Sequence, residues 1–191
     1  GVYPDAFNQY FSGGFSGIVL NEIRTKRSMA YTAYGVNQTP SLAGKNTNFI
    51  GYVGTQSDKV VDAINVYMDL LTTMPADTTR MEAIRAALKQ AAQTANPSMR
   101  GKASTFEHWK RLGYNDDPAK INAEKINNLT YEEIEAFYKE NIQGKPVTII
   151  LMGDPKKIDL KAIQAKMGCK VTKLSPARLF NSVDELYDAI M

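Results

Sequence analysis

Apolar residues near the start of the chain recur at the spacing of one helix face, three to five positions apart. These residues are Phe7, Phe11, Phe15, Ile18 and Ile23. The pattern predicts a helix that ends between residues 25 and 28. Gly13, Gly14 and Gly17 fall inside it, and each costs about 1 kcal/mol relative to alanine in a helix. Such a concentration of glycine indicates a close approach to the backbone, either by a packed sheet or by a ligand.

The β-strand signals come next. Residues 30–37 and 49–55 are rich in tyrosine, threonine and valine and predict two strands, which we expect to pair as a hairpin. Residues 145–153 (KPVTIILMG) are so apolar that they predict a strand covered on both faces. A further strand is predicted at residues 169–174.

Helix signals fill most of the remaining chain. Thr79 with Glu82 and Thr130 with Glu133 have the spacing of capping boxes, and Ser57 or Asp58 precedes another amphipathic stripe. The predicted helices span residues 57–74, 79–95, 98–112, 119–126, 130–142, 160–166 and 182–191.

The order of these elements predicts the α+β class, as an α/β sandwich in which one mostly antiparallel sheet packs against several helices. We expect residues 1–175 to form one domain and residues 176–191 to be its C-terminal helical extension. A chain of 191 residues is long enough for a substantial core.

Composition excludes several classes of function. The net charge is only +3, and the basic residues are scattered rather than clustered as a nucleic-acid interface requires. No apolar run reaches the 18 residues of a membrane-spanning helix. The single cysteine, Cys169, excludes an internal disulfide.

The candidate chemistry lies where the first helix meets the first strand. Arg24, Lys26 and Arg27 occupy the predicted last helical turn, where cations suit the helix dipole. Tyr31 follows Arg24 by seven residues. Tyr31 and Tyr34 are an odd number of positions apart, which predicts opposite faces of the strand. Only one of the two could then face a site, and the other would belong to packing.

The run from residue 10 to residue 35, YFSGGFSGIVLNEIRTKRSMAYTAYG, resembles a signature of the pitrilysin/insulinase-like zinc metallopeptidases. The signature belongs to their C-terminal half, which does not bind zinc. Glu22, Ile23 and Arg24 match its lead-in, and Arg24 and Tyr31 match its arginine and tyrosine. The order of elements over residues 5–175 is also similar to that domain, although a complete domain is expected to have another strand before the first helix.

The resemblance implies that this chain is the substrate-binding half of a zinc-dependent endopeptidase that encloses and cleaves unstructured peptides. Arg24 and Tyr31 would bind the substrate peptide and stabilise the transition state. The expected partners are an N-terminal, zinc-bearing half, on the same polypeptide or a partner chain, and the peptide. A neighbouring edge strand is a further candidate for pairing with the peptide main chain. Family habit implies the cell envelope or periplasm.

The zinc itself is expected in the partner half. The family binds zinc through His-x-x-Glu-His and a further glutamate, and a catalytic zinc needs about three protein ligands. This chain has one histidine, His108, and one cysteine, Cys169. We therefore expect no metal site, no cofactor and no peptidase activity in the chain alone, and a surface or boundary position for His108.

Two other hypotheses remain open at the level of sequence. The chain could be a non-catalytic scaffold or processing subunit whose protease activity has been lost. Alternatively, it could be a stand-alone α/β binding domain in which the match at Arg24 and Tyr31 is a coincidence. The first alternative is distinguished by whether the parent polypeptide or its partner contains His-x-x-Glu-His.

Overall fold

The computed structural model describes residues 1–95 and 97–172, and the chain divides into two compact units, Gly1–Met152 and Gly153–Met191. Over the described ranges it contains eight α-helices and one antiparallel pair of strands. The helices are α1 (Val2–Ser12), α2 (Ile18–Leu20), α3 (Val60–Thr72), α4 (Met81–Thr94), α5 (Lys102–Arg111), α6 (Pro118–Asn128), α7 (Tyr131–Asn141) and α8 (Leu160–Met167). The strands are β1 (Ala30–Gln38) and β2 (Asn48–Thr55). This mixed, helix-rich arrangement confirms the α+β prediction.

Helix α1 is the centre of the first unit. Phe7, Tyr10 and Phe11 on this helix are fully buried, and α1 contacts β1, α4 and α7. The Phe7 ring lies 5.1 Å from Phe11 and 5.7 Å from Phe137 on α7, measured between centroids. Aromatic rings bury large apolar areas at such distances. The aromatic side chains of α1 thus join the hairpin to the helices.

The hydroxyl group of Tyr10 fixes the connection between α3 and α4. It donates a hydrogen bond to the Pro75 carbonyl and accepts one from the Asp77 amide, each at 2.7 Å. Burial raises the pKa of Tyr10 to about 12. Arg80 donates to the Tyr10 carbonyl, also at 2.7 Å. A tyrosine that the sequence places on an apolar helix face is therefore also a polar anchor for a loop.

The glycine-rich run ends a helix, and the prediction of one continuous helix through it is wrong. Helix α1 stops at Ser12, a 3-10 turn covers Gly14–Ser16, and α2 begins at Ile18. Gly14 has a φ of +58°, a conformation that side chains with a Cβ rarely adopt. A Cβ on Gly13 would lie 2.2 Å from the Gln9 carbonyl oxygen of the preceding turn. Gly13 and Gly14 are therefore required by the local course of the backbone, and the predicted close packing of a sheet does not explain them.

The two predicted capping boxes have different outcomes. Thr130 accepts a hydrogen bond from the Glu133 amide, and the Glu133 carboxylate accepts one from the Thr130 amide, so that prediction is confirmed. The box at Thr79 and Glu82 is wrong, because Asp77 accepts from the Thr79 amide and starts a 3-10 turn before α4. The start of α3 also differs, since a 3-10 turn precedes it and no side chain caps it.

The predicted strand at residues 145–153 is not formed. The segment has no regular secondary structure, and Val147, Ile150 and Met152 are exposed. High β propensity measures fit to a pleated, half-buried surface. Nothing in the described chain pairs with this segment to provide such a surface, so its apolar composition does not produce a strand here.

Within the second unit, α8 begins after Asp159, which accepts a hydrogen bond from the Ala162 amide. It ends at Gly168 in the left-handed conformation, as a helix C-terminus commonly does. Residues 169–172 are not in a strand, contrary to the prediction for 169–174. Residues 173–174, the predicted helix at 182–191 and the extension at 176–191 lie outside the described residues.

Candidate functional site at the start of the hairpin

A π-helical turn positions Arg24. After α2 the chain widens into a π-helix at Asn21–Thr25, and the Lys26 amide donates to the Asn21 carbonyl at 2.9 Å. Single π-helical turns occur often at functional sites, because they displace side chains from the ordinary helical positions. The sequence gives no sign of this turn, since its apolar spacing is compatible with an ordinary helix.

The turn that follows is bound to both neighbouring elements. Ser28 has a φ of +50°, and its amide donates to the Arg24 carbonyl at 2.9 Å. The side-chain ammonium of Lys59 donates to the Ser28 carbonyl at 3.2 Å, and the Thr55 hydroxyl donates to the Met29 carbonyl. The C-terminal end of the π-helix is thereby tied to the last residue of β2 and to the start of α3.

A β-bulge places Tyr31. Ala30 pairs with Thr55 and Thr32 pairs with Gly54, so β1 advances two residues where β2 advances one. Tyr31 is the extra residue, and bulges commonly reorient a side chain next to a site. Tyr31 is 80% exposed, and the guanidinium carbon of Arg24 lies 4.9 Å from the centroid of its ring. The two residues singled out in the sequence are therefore in cation–π contact.

Glu22 engages the other two cations of the turn. Its carboxylate accepts from Lys26 at 2.6 Å and also from Arg27. Partial burial alone would raise the pKa of Glu22, but the hydrogen bonds and positive charge of Lys26 and Arg27 outweigh it and lower that pKa. Lys26 and Arg27 are thus paired with Glu22, while Arg24 contacts Tyr31. This agrees with the interpretation of Lys26 and Arg27 as ordinary helix-end charges.

Tyr34 does not lie in the core, contrary to the expectation that one of the two tyrosines belongs to packing. It is 41% exposed and pairs across the hairpin with Tyr52, which is 50% exposed. Their rings stack at 5.4 Å between centroids with an angle of 24° between their planes. Strict alternation of faces does not hold between Tyr31 and Tyr34, because the bulge at Tyr31 adds one residue to β1.

The opposite face of the hairpin is packed and hydrogen-bonded. The buried Tyr67 hydroxyl donates to the Tyr34 carbonyl at 2.8 Å, and burial raises the pKa of Tyr67 above its usual value. On α1, the Ser12 hydroxyl accepts from the Gly35 amide at 2.6 Å, and Asn8 exchanges two hydrogen bonds with the backbone of Asn37. Part of the β1 backbone is therefore already engaged by side chains of α1.

Metal-ligating side chains do not cluster near this site within the described residues. No group of three or more His, Cys, Asp and Glu side chains able to hold a metal ion occurs in the part of the chain that the structure describes. His108 and Cys169 are both exposed. A catalytic zinc would therefore not fit the described residues. None of the helices α1 to α8 combines the length and apolar character needed to cross a bilayer.

Comparison with known proteins identifies the fold. No protein-family model matches the chain, and no curated protein matches it. Among solved structures, it is similar to the crystal structure of a peptidase M16 inactive domain from Pseudomonas fluorescens, with a TM-score of 0.51 and 17% sequence identity. The match covers 74% of this chain and 34% of that chain, so this chain spans about a third of its length. The chain therefore has an M16-like fold, and at this identity the similarity concerns the fold alone.

The sequence singles out Arg24 and Tyr31 but not the surface beside them. The exposed Tyr34–Tyr52 pair, the bulge and the double ion pair of Glu22 were not predicted. The first of these had a signal, because Ile50 and Tyr52 alternate with Phe49, Gly51 and Val53 along β2. The bulge and the π-helical turn left no signal, since both arise from how the ends of the elements meet.

Proposed function

We propose that this chain is the substrate-binding, non-zinc half of a zinc-dependent endopeptidase that encloses unstructured peptides. The observation that carries the proposal is the contact between Arg24 and Tyr31 at 4.9 Å, at an exposed end of the hairpin. Two residues seven positions apart are brought together by a π-helical turn and a bulge. The M16-like fold and the resemblance of residues 10–35 to the pitrilysin/insulinase-like signature support the same interpretation.

The chemistry of the pair suits a peptide carbonyl. The Arg24 guanidinium has five N–H donors and a permanent positive charge, and the Tyr31 phenol adds one O–H donor. Donors aimed at an oxygen that becomes negative stabilise the transition state more than the ground state. In the proposed enzyme Arg24 and Tyr31 bind the scissile carbonyl and the oxyanion that develops from it.

The remaining catalytic groups belong to the partner. The described residues contain no cluster that could bind zinc. We therefore assign the zinc to an N-terminal half, on the same polypeptide or on a partner chain, where it would supply Lewis-acid chemistry. The proposal makes this chain inactive alone and active only when the two halves enclose a peptide.

The proposal is tested by peptide cleavage with the assembled parent protein. Arg24→Ala should lower turnover of an unstructured fluorogenic peptide about a hundredfold, the size expected for loss of one oxyanion donor. Arg100→Ala, at an exposed position on a 3-10 turn, is the matched control and should leave turnover unchanged. Thermal melts of both variants check that the fold is intact.

Each other outcome has a defined meaning. Unchanged turnover in Arg24→Ala would remove the proposed role of the Arg24–Tyr31 pair. If the wild-type chain binds its partner half but the assembly cleaves no peptide, the non-catalytic scaffold or processing subunit would be favoured. Robust metal-dependent cleavage by the isolated chain would overturn the division of labour between the halves.

Tyr31→Phe separates the phenol from the ring. The variant keeps a ring under Arg24 and removes only the O–H donor, so the fold should be retained while turnover falls. Tyr34→Phe is the control, because it retains the ring that stacks on Tyr52, and the contact with Arg24 is made by Tyr31. Equal losses in the two variants would contradict the assignment of the phenol of Tyr31.

A further inference from the structure

The outer face of the hairpin carries an exposed aromatic and aliphatic surface that the Arg24–Tyr31 pair does not account for. Two cross-strand pairs form it, Tyr34 with Tyr52 and Val36 with Ile50, and all four side chains are exposed. Directly opposed residues of a hairpin share one face. We call these four residues the hairpin platform.

The hairpin platform is continuous with the site at Arg24 and Tyr31. Tyr34 follows Tyr31 by three residues on β1, a distance of roughly 10 Å at about 3.3 Å per residue. The ring of Tyr52 extends along β2 over Gly54, where a Cβ would lie 3.2 Å from the Tyr52 hydroxyl oxygen. Gly54 pairs with Thr32, the neighbour of Tyr31. The absence of a side chain at Gly54 thus leaves room for the Tyr52 ring to lie toward the Tyr31 end.

The β1 backbone of the platform is hydrogen-bonded to side chains of α1 and α3. The Tyr67 hydroxyl binds the Tyr34 carbonyl, and Ser12 binds the amide of the next residue, Gly35. A preformed aromatic surface binds a side chain with little ordering cost, which favours affinity. The two stacked rings are exposed on a backbone that is already hydrogen-bonded, so they offer such a preformed aromatic surface.

Charge narrows the choice of ligand. Neither β1 nor β2 contains a charged residue, although exposed edge strands usually carry charges that prevent pairing with other chains. The positive charge of Arg24 lies beside Tyr31, at the start of β1 and away from the platform residues. An extended peptide fits this arrangement, with a carbonyl group at Arg24 and an uncharged, bulky side chain on the platform.

We propose that Tyr34 and Tyr52 form a specificity subsite that accepts an aromatic or branched aliphatic side chain of the peptide bound at Arg24 and Tyr31. The inference rests on the proposed function in taking a peptide as the ligand. Tyr52 determines which peptide binds, whereas Arg24 acts on the carbonyl of any peptide.

The test is a binding titration of the isolated 191-residue chain, isotopically labelled and followed by NMR. The probes are capped, unstructured decapeptides of glycine, serine and asparagine that carry one central Phe, Leu, Ser or Lys. The Phe and Leu peptides should bind at least fivefold more tightly than the Ser and Lys peptides, and should shift the amide signals of residues 32–36 and 50–54.

Variants of the platform make the test specific. Tyr52→Ser should lower affinity for the Phe peptide to that for the Ser peptide, and Tyr52→Phe should retain the preference. Gly54→Val adds bulk where the Tyr52 ring lies and should weaken the preference without removing the ring. Tyr3→Ser is the matched control, because it removes a tyrosine of α1 that is 36% exposed and lies outside the platform. It should leave the affinities for the Phe and Ser peptides unchanged.

Three results would overturn the inference. Equal binding of the Phe and Ser peptides would do so, as would shifts confined to residues outside the hairpin. Concentration-dependent shifts of the platform signals without peptide would assign this face to a second copy of the chain.

In the assembled enzyme, Tyr52→Ser should reduce cleavage of the Phe peptide and leave cleavage of the Ser peptide unchanged, whereas Arg24→Ala should reduce cleavage of both peptides. The binding titration therefore tests the peptide preference separately from the cleavage assay that tests the proposed catalytic role.

Discussion

At the scale of single residues, glycine is required on the inner face of the hairpin but not on its outer face. On the inner face, a Cβ at Gly35 would lie 2.5 Å from the Tyr67 hydroxyl oxygen and 2.5 Å from the Phe49 ring. A Cβ at Gly51 would lie 2.3 Å from the same hydroxyl oxygen. On the outer face, a Cβ at Gly54 would meet only the movable end of Tyr52. The inner glycines allow Tyr67 to reach the β1 backbone, and this contact supports the platform.

Gly35→Ala should lower the free energy of unfolding by about 1–3 kcal/mol, the usual cost of overpacking a core. The added methyl would collide with Tyr67 and Phe49 and weaken the hydrogen bond from Tyr67 to the Tyr34 carbonyl. Gly54→Ala is the matched control and should change stability by no more than about 0.5 kcal/mol. Urea unfolding followed by circular dichroism measures both. Similar losses in the two variants would contradict the difference between the faces.

At the scale of elements, the π-helical turn is stabilised by charge as well as by backbone hydrogen bonds. The Glu22 carboxylate is partly buried and accepts hydrogen bonds from Lys26 and Arg27, the two residues that follow the turn. Because these partners lower the folded-state pKa of Glu22, its ionised form stabilises the native state. That contribution is complete above the pKa of the unfolded chain and disappears as pH falls through the lowered folded-state pKa.

Glu22→Gln should therefore cost about 0.5–1 kcal/mol of stability at pH 7, in the range of partly exposed ion pairs. The difference between variant and wild type should shrink as pH falls below about 4 and vanish once Glu22 is protonated in both states. Glu107→Gln, which removes an exposed pair with Lys110, serves as control and should have little effect. Urea melts at several pH values measure the difference. A loss that is independent of pH would mean that Glu22 acts through packing and not through its charge.

Elements whose signals are local could be read from the sequence. The box at Thr130 and Glu133 works because both partners lie within one helical turn. The box at Thr79 and Glu82 has the same letters and fails, because Asp77 offers a carboxylate two residues earlier. Arg24 and Tyr31 are linked in the sequence only through the family resemblance. Their contact was not predicted, since the π-helical turn and the bulge that produce it depend on how α2, β1 and α3 meet.

At the scale of the whole molecule, the sheet formed by the described residues is smaller than the sequence predicts. Residues 145–152 have the composition of a covered strand, yet the Ile150 side chain is 82% exposed and that of Met152 is 93% exposed. A run of β-branched residues becomes a strand only where another strand supplies backbone partners and a second layer covers its faces. Apolar composition alone therefore could not fix the number of strands.

Substitution of Ile150 tests whether residues 145–152 form a covered strand, as the sequence predicts, or an exposed segment, as the structure shows. Ile150→Lys should change the free energy of unfolding of the isolated chain by no more than about 0.5 kcal/mol, because the side chain already lies in water. Ile134→Ala, at a fully buried position on α7, should cost about 2–5 kcal/mol and confirms that the assay detects core losses. A loss above about 2 kcal/mol in Ile150→Lys would show that residues 145–152 are covered in solution. The sheet would then extend beyond β1 and β2, and the surface available to a peptide would be smaller than the hairpin alone suggests.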